Sequence, residues 1–153
     1  STAKLVHASP LKTFWHPIHN TETAFQVFRL GKSKNYYVGH THQPVVFSQK
    51  GVNVKALPAK FSVSRERRDN KNFVEKSDTV NLDNDNNYII NPGSVGQPRD
   101  GDPRSSFAIL NTDSDSLTAI TWYRVGYNID DINDKYRDKN LPQDFAKRLY
   151  RGK

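Results

Sequence analysis

Tyr36-Tyr37-Val38-Gly39-His40-Thr41-His42-Gln43-Pro44 decides the reading of this chain. Tyr36 to Val38 has the aromatic and β-branched composition of a short strand, and Gly39 stops it and lets the chain turn sharply. Two imidazoles at i and i+2 on the loop beyond can each reach a metal ion without competing for the same backbone space. Two exposed loop histidines are the plain alternative for a bare His-x-His. A third histidine shifts the balance, because Lys4-Leu5-Val6-His7-Ala8 reads as a buried strand running into the loop Ser9-Pro10. Neutral imidazole suits Zn, Fe or Mn where carboxylates complete the shell, so His7, His40 and His42 on neighbouring strand ends would form one mouth.

Working outward, Asn20 or Thr21 caps a helix through Gly31, with Ala24, Val27, Phe28 and Leu30 on one face. Val45 to Ser48 and Val52 to Leu57, parted by Gln49-Lys50-Gly51, read as a β-hairpin. Residues 58–87 are a polar excursion in which Phe61-Ser62-Val63 and Phe73-Val74 can pair as edge strands. Order returns at Tyr88-Ile89-Ile90, which leads into Asn91-Pro92-Gly93-Ser94. Ser106–Leu110 and Leu117–Val125 read as two strands joined by the turn 111–116. In the second of them, apolar residues on both alternating sets predict burial on both faces. Residues 128–153 read as a helical segment: Ile129, Ile132 and Tyr136 recur at helical spacing, and Phe145, Leu149 and Tyr150 form a last apolar stripe. Residues 1–153 fit one domain or part of a larger one.

Composition narrows the function. Hydrophobic residues make up 35% of the chain, enough for a modest core and against disorder. No apolar run approaches the ~20 residues of a membrane span, and no signal-peptide pattern opens the chain. Cysteine is absent, which excludes disulfides, thiolate metal sites and thiol chemistry and makes a cytoplasmic setting the default. The net charge of +7 is uneven. Residues 1–76 carry 13 Lys and Arg against 4 acids, whereas residues 77–153 carry 10 against 12. A basic half points to anionic partners, phosphates above all. All five histidines lie in that half, while the first aspartate is Asp69.

Three motifs in order carry a family resemblance. Val6-His7-Ala8-Ser9-Pro10, then Gly39-His40-Thr41-His42-Gln43-Pro44, then Asn91-Pro92-Gly93-Ser94-Val95-Gly96-Gln97-Pro98-Arg99 with Asp102-Pro103-Arg104 close behind, resemble the calcineurin-like metallophosphoesterase superfamily. Within it they look most like the bacterial phosphodiesterase or diadenosine tetraphosphatase-like subgroup. The tail Tyr123-Arg124-Val125-Gly126-Tyr127-Asn128, a helix, Leu141-Pro142 and Arg148-Leu149 is similar too. The resemblance implies an α/β fold, here the C-terminal part of a four-layer α/β/β/α sandwich, strand-rich with C-terminal helices. It also implies two divalent metal ions (Mn, Fe, Zn or Ni), with His7 and His40 on one and His42 on the other. Cations ~3.5–4 Å apart polarise a phosphoryl group, lower the pKa of a bridging water and neutralise charge in an in-line attack. The implied activity is hydrolysis of phosphate mono- or diesters.

The same pattern holds an Asp-x-His, a Gly-Asp with the bridging carboxylate and a Gly-Asn-His with a catalytic histidine, all ahead of the His7 motif. None is found here, and Gly101-Asp102 comes too late in the order. The expectation is the C-terminal part of a two-metal phosphoesterase that is inactive alone, holds at most one weakly bound ion and carries no catalytic residue of its own. Its uncovered inner face would seek the missing half or a second copy. A non-catalytic scaffold or partner-binding subunit on the same fold is the second reading, and the retained histidines count against it. A nucleic-acid-binding module ranks last, since the basic half lacks interleaved aromatics.

Smaller expectations concern the substrate. Asn91, Ser94 and Arg99 are the candidate substrate-binding residues. The 91–96 loop can offer backbone N–H groups to a phosphate, with a tight turn between strands as the equal alternative. Arg99 and Arg104 can clamp phosphate oxygens, although pairing with Asp100 or Asp102 is the commoner fate of loop arginines. His16 and His19 are either site neighbours or surface-loop histidines. Arg65, Arg67 and Arg68 read as a solvated face, and Trp122 and Tyr123 as core.

Overall fold

The computed structural model describes residues 3–11, 15–61, 73–113 and 116–153. Three short strands run parallel: β1 (Ala3–Leu5), β2 (Asn35–Tyr37) and β7 (Asn87–Pro92), with Leu5 opposite Tyr37 and Tyr37 opposite Ile90. Parallel neighbours need a crossover, and α1 (Thr21–Leu30) provides the one between β1 and β2. The Asn20 side chain accepts from the Thr23 N–H at 2.8 Å, and the Thr23 hydroxyl oxygen faces the Asn20 N–H at 3.3 Å, a reciprocal cap. Ala24 and Val27 face inward and Phe28 is partly buried, whereas Leu30 falls off that face and is exposed, contrary to expectation.

The predicted hairpin is present as β3 (Pro44–Lys50) and β4 (Asn53–Pro58), closed by a tight turn at Gly51-Val52. β3 lies antiparallel to β7, giving the sheet order β1-β2-β7-β3-β4. A second sheet is built on β9 (Ser116–Val125), flanked on one side by β8 (Ser105–Asp113). Along its other edge lie β5 (Val74–Lys76) and β6 (Val80–Asn81). Val74 pairs with Val125, and of the 61–63 stretch expected to pair with it, Ser62 and Val63 lie outside the described residues. β8 and β9 run longer than predicted, reaching into the 111–116 segment from both sides.

Alternation along the strands separates two cores. Val38, Phe47 and Ile89 join Tyr36, Ile18 and the inner face of α1, while Val46, Tyr88 and Ile90 meet Leu82, Ile120 and Trp122 between the sheets. β9 is buried on both faces, as Ala119 and Thr121 on one side and Ile120, Trp122 and Arg124 on the other show. The layers thus run α1, first sheet, second sheet. The chain ends in α2 (Ile129–Asp138) and α3 (Gln143–Leu149), which pack on one another. This is the mixed, strand-rich α/β architecture with C-terminal helices that the sequence implied.

Two expectations are corrected. β1 is not buried: it is the outer strand of its sheet, and Leu5 is 79% exposed. The last helix buries Ala146 and Leu149, one turn apart, and leaves Phe145 and Tyr150, which flank that stripe, about half exposed.

The position of Trp122 is testable. Its ring is fully buried between the sheets, and its Nε1–H donates to the Asn91 carbonyl at 3.1 Å. Trp122→Ala should cost about 3–5 kcal/mol in urea unfolding. Phe107→Ala, on the opposite outer face where Phe107 stacks on Tyr123, should cost under about 1 kcal/mol. Equal losses would refute the division of inner and outer faces.

Candidate metal centre

The parallel ladder continues beyond the strands, and that brings the site residues together. The Val6 N–H donates to the Tyr37 carbonyl (3.0 Å), Val38 N–H to Ile90 (2.8 Å) and Gly39 N–H to His7 (3.0 Å). His7, the Gly39–His42 loop and Asn91 consequently leave their strands at the same edge of the sheet. His7 Nε2 lies 3.0 Å from His40 Nδ1, with the rings nearly perpendicular at 86°.

The turn itself differs from the expectation for Gly39, whose φ is not positive. His40 and His42 make it, with φ of 62° and 58°, a region that side chains other than glycine enter at a cost of order 1–3 kcal/mol. The Thr41 N–H closes a three-residue turn onto the Gly39 carbonyl at 2.7 Å. Beneath it sits Asn91, 1% exposed, whose Nδ2 donates to the Gly39 carbonyl (2.8 Å) and to Thr41 Oγ1 (2.9 Å) while its Oδ1 accepts from the Gly93 N–H (2.9 Å). The structure thus places Asn91 under the loop as a positioning group, with both amide hydrogens spent and none left for a substrate.

His42 is held separately. Its Nδ1 lies 2.6 Å from the Gln97 carbonyl, and since a carbonyl only accepts, Nδ1 carries a proton, which in the neutral ring leaves the lone pair on Nε2. Arg99 follows closely: its N–H donates to the His42 carbonyl (3.2 Å), its own carbonyl accepts from Gln43 Nε2 (3.1 Å), and its exposed guanidinium reaches Gln97 Oε1 (3.0 Å). The His40 pKa is lowered, first by burial and then by the neighbouring charges of His7, His42 and Arg99. The Ser94 Oγ accepts from the Gln97 N–H (3.0 Å). The Gly93 and Gln97 N–H groups are both engaged within the 91–97 segment.

These side chains fit one divalent cation in part. Two imidazole nitrogens on a tetrahedral ion with ~2.0–2.1 Å bonds stand about 3.3 Å apart, close to the His7–His40 separation. The carbonyl that orients His42 is the usual partner of a metal-bound histidine. Carboxylates are lacking: among the described residues no group of three or more His, Asp or Glu converges on a metal position. Beside the loop opens a cavity of about 440 Å³ lined by His19, Thr41, Gln43, Val45 and Phe47. His16 and His19 are exposed, and Arg65, Arg67 and Arg68 lie outside the described residues.

The pairing of Arg104 with Asp102 that the sequence favoured is present, within a larger buried ionic cluster whose other members, Glu75 and Arg124, it did not reveal. Arg104, 2% exposed, donates from Nε and Nη2 to Asp102 (3.0 and 2.6 Å) and from Nη2 to Glu75 (2.9 Å). Arg124, fully buried, donates to the Arg104 carbonyl (3.0 Å) and to Asp100. Arg104 is therefore committed to its own acids, not free to clamp phosphate. Burial alone would raise the Asp102 pKa, but hydrogen bonds from Arg104 and the charges of Arg124 and Arg104 hold it below the ordinary value.

Two facing sheets, a helical layer and histidines at the parallel strand ends match the fold of a solved metallophosphoesterase. The chain superposes on a metallophosphoesterase from Sphaerobacter thermophilus with a TM-score of 0.74 and 35% identity, over 97% of this chain and 54% of that one. It is also 32% identical over 117 residues to the uncharacterized protein MJ0912 of Methanocaldococcus jannaschii, a match spanning 76% of this chain and 39% of that protein. No family model matches the sequence. The chain spans only about half of the solved relative and two fifths of the archaeal one.

The amide under the loop yields a prediction. Asn91→Ala leaves the Gly93 N–H without its partner and the Gly39 carbonyl with only the Thr41 N–H, and should cost about 1–3 kcal/mol in urea unfolding. Asn91→Asp keeps an acceptor for Gly93 but sets a carboxylate against two oxygens, so it should cost at least as much. A loss below about 0.5 kcal/mol for either would remove Asn91 from its positioning role.

Proposed function

We propose that this chain supplies the histidine ligands of a two-metal phosphoesterase acting on phosphate mono- or diesters, as the C-terminal part of that enzyme. The observation that carries this reading is the approach of His7 Nε2 to His40 Nδ1 at 3.0 Å, beside a His42 whose Nε2 is left bare. In this reading His7 and His40 hold one ion and His42 the other, with Mn, Fe, Zn and Ni all compatible with imidazole and oxygen donors. When bound, such a pair polarises the phosphoryl group and lowers the pKa of a bound water.

The chain's own groups do the rest of the work assigned to it. His42 is kept in one tautomer by Gln97, and the exposed Arg99 guanidinium offers N–H groups to phosphate oxygens next to it. Asn91 and Ser94 shape the wall without touching substrate. The carboxylate and asparagine ligands and the histidine that serves the leaving group come from chain outside residues 1–153, or from a partner that carries them. The shares of the two relatives that the chain spans support this. Alone, it binds a single ion weakly and does not turn over, because no carboxylate offsets a second cation's charge. The exposed outer strand β1 favours association with the completing half or a second copy, and a cytoplasmic setting suits a chain without cysteine. No helix among the described residues is long and apolar enough to cross a membrane.

The test is hydrolysis of bis(p-nitrophenyl) phosphate with excess Mn²⁺, by this chain and by a form extended through the coding sequence ahead of Ser1, each beside His40→Ala and His42→Ala. Turnover only by the extended form, reduced by about 10²-fold or more in both variants, is expected. Turnover by the 153-residue chain that either substitution abolishes would overturn the division of the site. An inactive extended form that still binds Mn²⁺ would sink the phosphoesterase reading.

A further inference from the structure

Residues 97–102 are held on two sides. Toward the mouth, the Gln97 carbonyl takes the His42 Nδ1–H at 2.6 Å, the Arg99 N–H meets the His42 carbonyl at 3.2 Å and Gln43 Nε2 meets the Arg99 carbonyl at 3.1 Å. Away from it, the Gly101 N–H donates to the Gly152 carbonyl at 3.0 Å, and the Asp102 carboxylate is gripped by Arg104. Pro98, fully buried, fixes φ near the start of the segment.

Gly152 is the tightest point of this arrangement. It is buried, with φ of +60°, and a Cβ placed on it would lie 2.6 to 2.8 Å from the backbone N, C and O of Asp102. No side chain fits there without displacing Asp102, and the positive φ alone disfavours one. The tail that delivers Gly152 is itself seated, since Leu149 and Ala146 of α3 are buried.

We propose that Gly152 is a positioning residue for His42: the C-terminal tail braces Gly101-Asp102, the braced segment fixes the Gln97 carbonyl, and that carbonyl decides which His42 nitrogen carries the proton. The tautomer effect stands on this geometry alone, while its consequence for metal affinity rests on the reading of His42 as a ligand. Lifting the tail frees the Gln97 carbonyl, lets the proton move to Nε2 in part of the population and removes the lone pair that a cation would take.

The experiment is ¹⁵N NMR of the histidine rings in the full chain, near pH ~8 where imidazole is neutral. Zn²⁺ titration of the same samples follows, with Gly152→Ala and a form lacking Gly152 and Lys153 beside the parent. In the parent, His42 should be protonated at Nδ1 only. In both variants the proton should be shared between Nδ1 and Nε2, with the exposed His16 ring unchanged, and Zn²⁺ affinity should fall about 10–100-fold, the usual cost of losing an outer-shell partner. His42 remaining wholly Nδ1-protonated in both variants would overturn the proposal. Should Gly152→Ala fail to fold, the shortened form carries the test. If that form also unfolds, the tail is a general stability element and the proposal falls. A tautomer shift in both variants with no Zn²⁺ binding even in the parent would retain the positioning role and reject the metal centre instead.

Discussion

The side-chain amide of Asn91 is the constraint on which the rest of the site depends. His40 and His42 both sit in the left-handed region, and such strain persists only where the surroundings over-determine it. Asn91 does so with both of its hydrogens, on Gly39 and Thr41, the residues that bracket His40. Its backbone carbonyl takes the indole N–H of Trp122, so the loop is referred to the core between the sheets and not only to its own strand. One buried amide therefore connects the packing of two sheets to the aim of two imidazoles.

The inter-sheet core changes character toward that end. Ile120, Trp122 and Arg124 follow one another on the inner face of β9, each fully buried, so apolar packing gives way to an ionic cluster directly behind the mouth. Buried pairs of this kind add little net stability, because desolvation offsets the attraction, yet removing one partner is expensive. Their use here is geometric. Arg104 and Arg124 tie the 100–104 loop to β5 and β9 through Asp100, Asp102 and Glu75, which stops the segment carrying Gln97 from drifting.

Much of this was legible in the sequence where a local rule decides the outcome. The cap at Asn20, the hairpin around Gly51 and the apolar faces of β7 and β9 follow from residue type and spacing alone. The histidine motifs gave the convergence of His7 with His40, since strand-end residues on adjacent parallel strands must meet. What was not legible depends on partners distant in the chain. The expectation that Leu5 is buried failed because alternation cannot say which strand is outermost. Arg124 reads as an ordinary strand residue until Asp100 and Arg104 are folded against it. Sequence points to Gly39 for the turn, as the residue with no side chain to obstruct it, whereas the buried Asn91 amide, more than fifty positions on, lets His40 and His42 take the strained backbone instead.

The His7–His40 contact shows what that strain serves. Without a cation, one ring donates to the other at 3.0 Å, an arrangement that requires at least one of them to be neutral. The lowered His40 pKa agrees in sign: burial and the charges of His7, His42 and Arg99 all disfavour its protonated form, so its unfolded-state pKa near ~6.5 lies above the folded one. Acidification through that window costs the folded state stability, since the rings would then be charged and adjacent. The two facing nitrogens already stand at a spacing that suits a cation, so binding has little ring motion to arrest, and the proton shared between them is what a cation must displace. The loop's strain is thus spent in advance on a donor pair of fixed spacing.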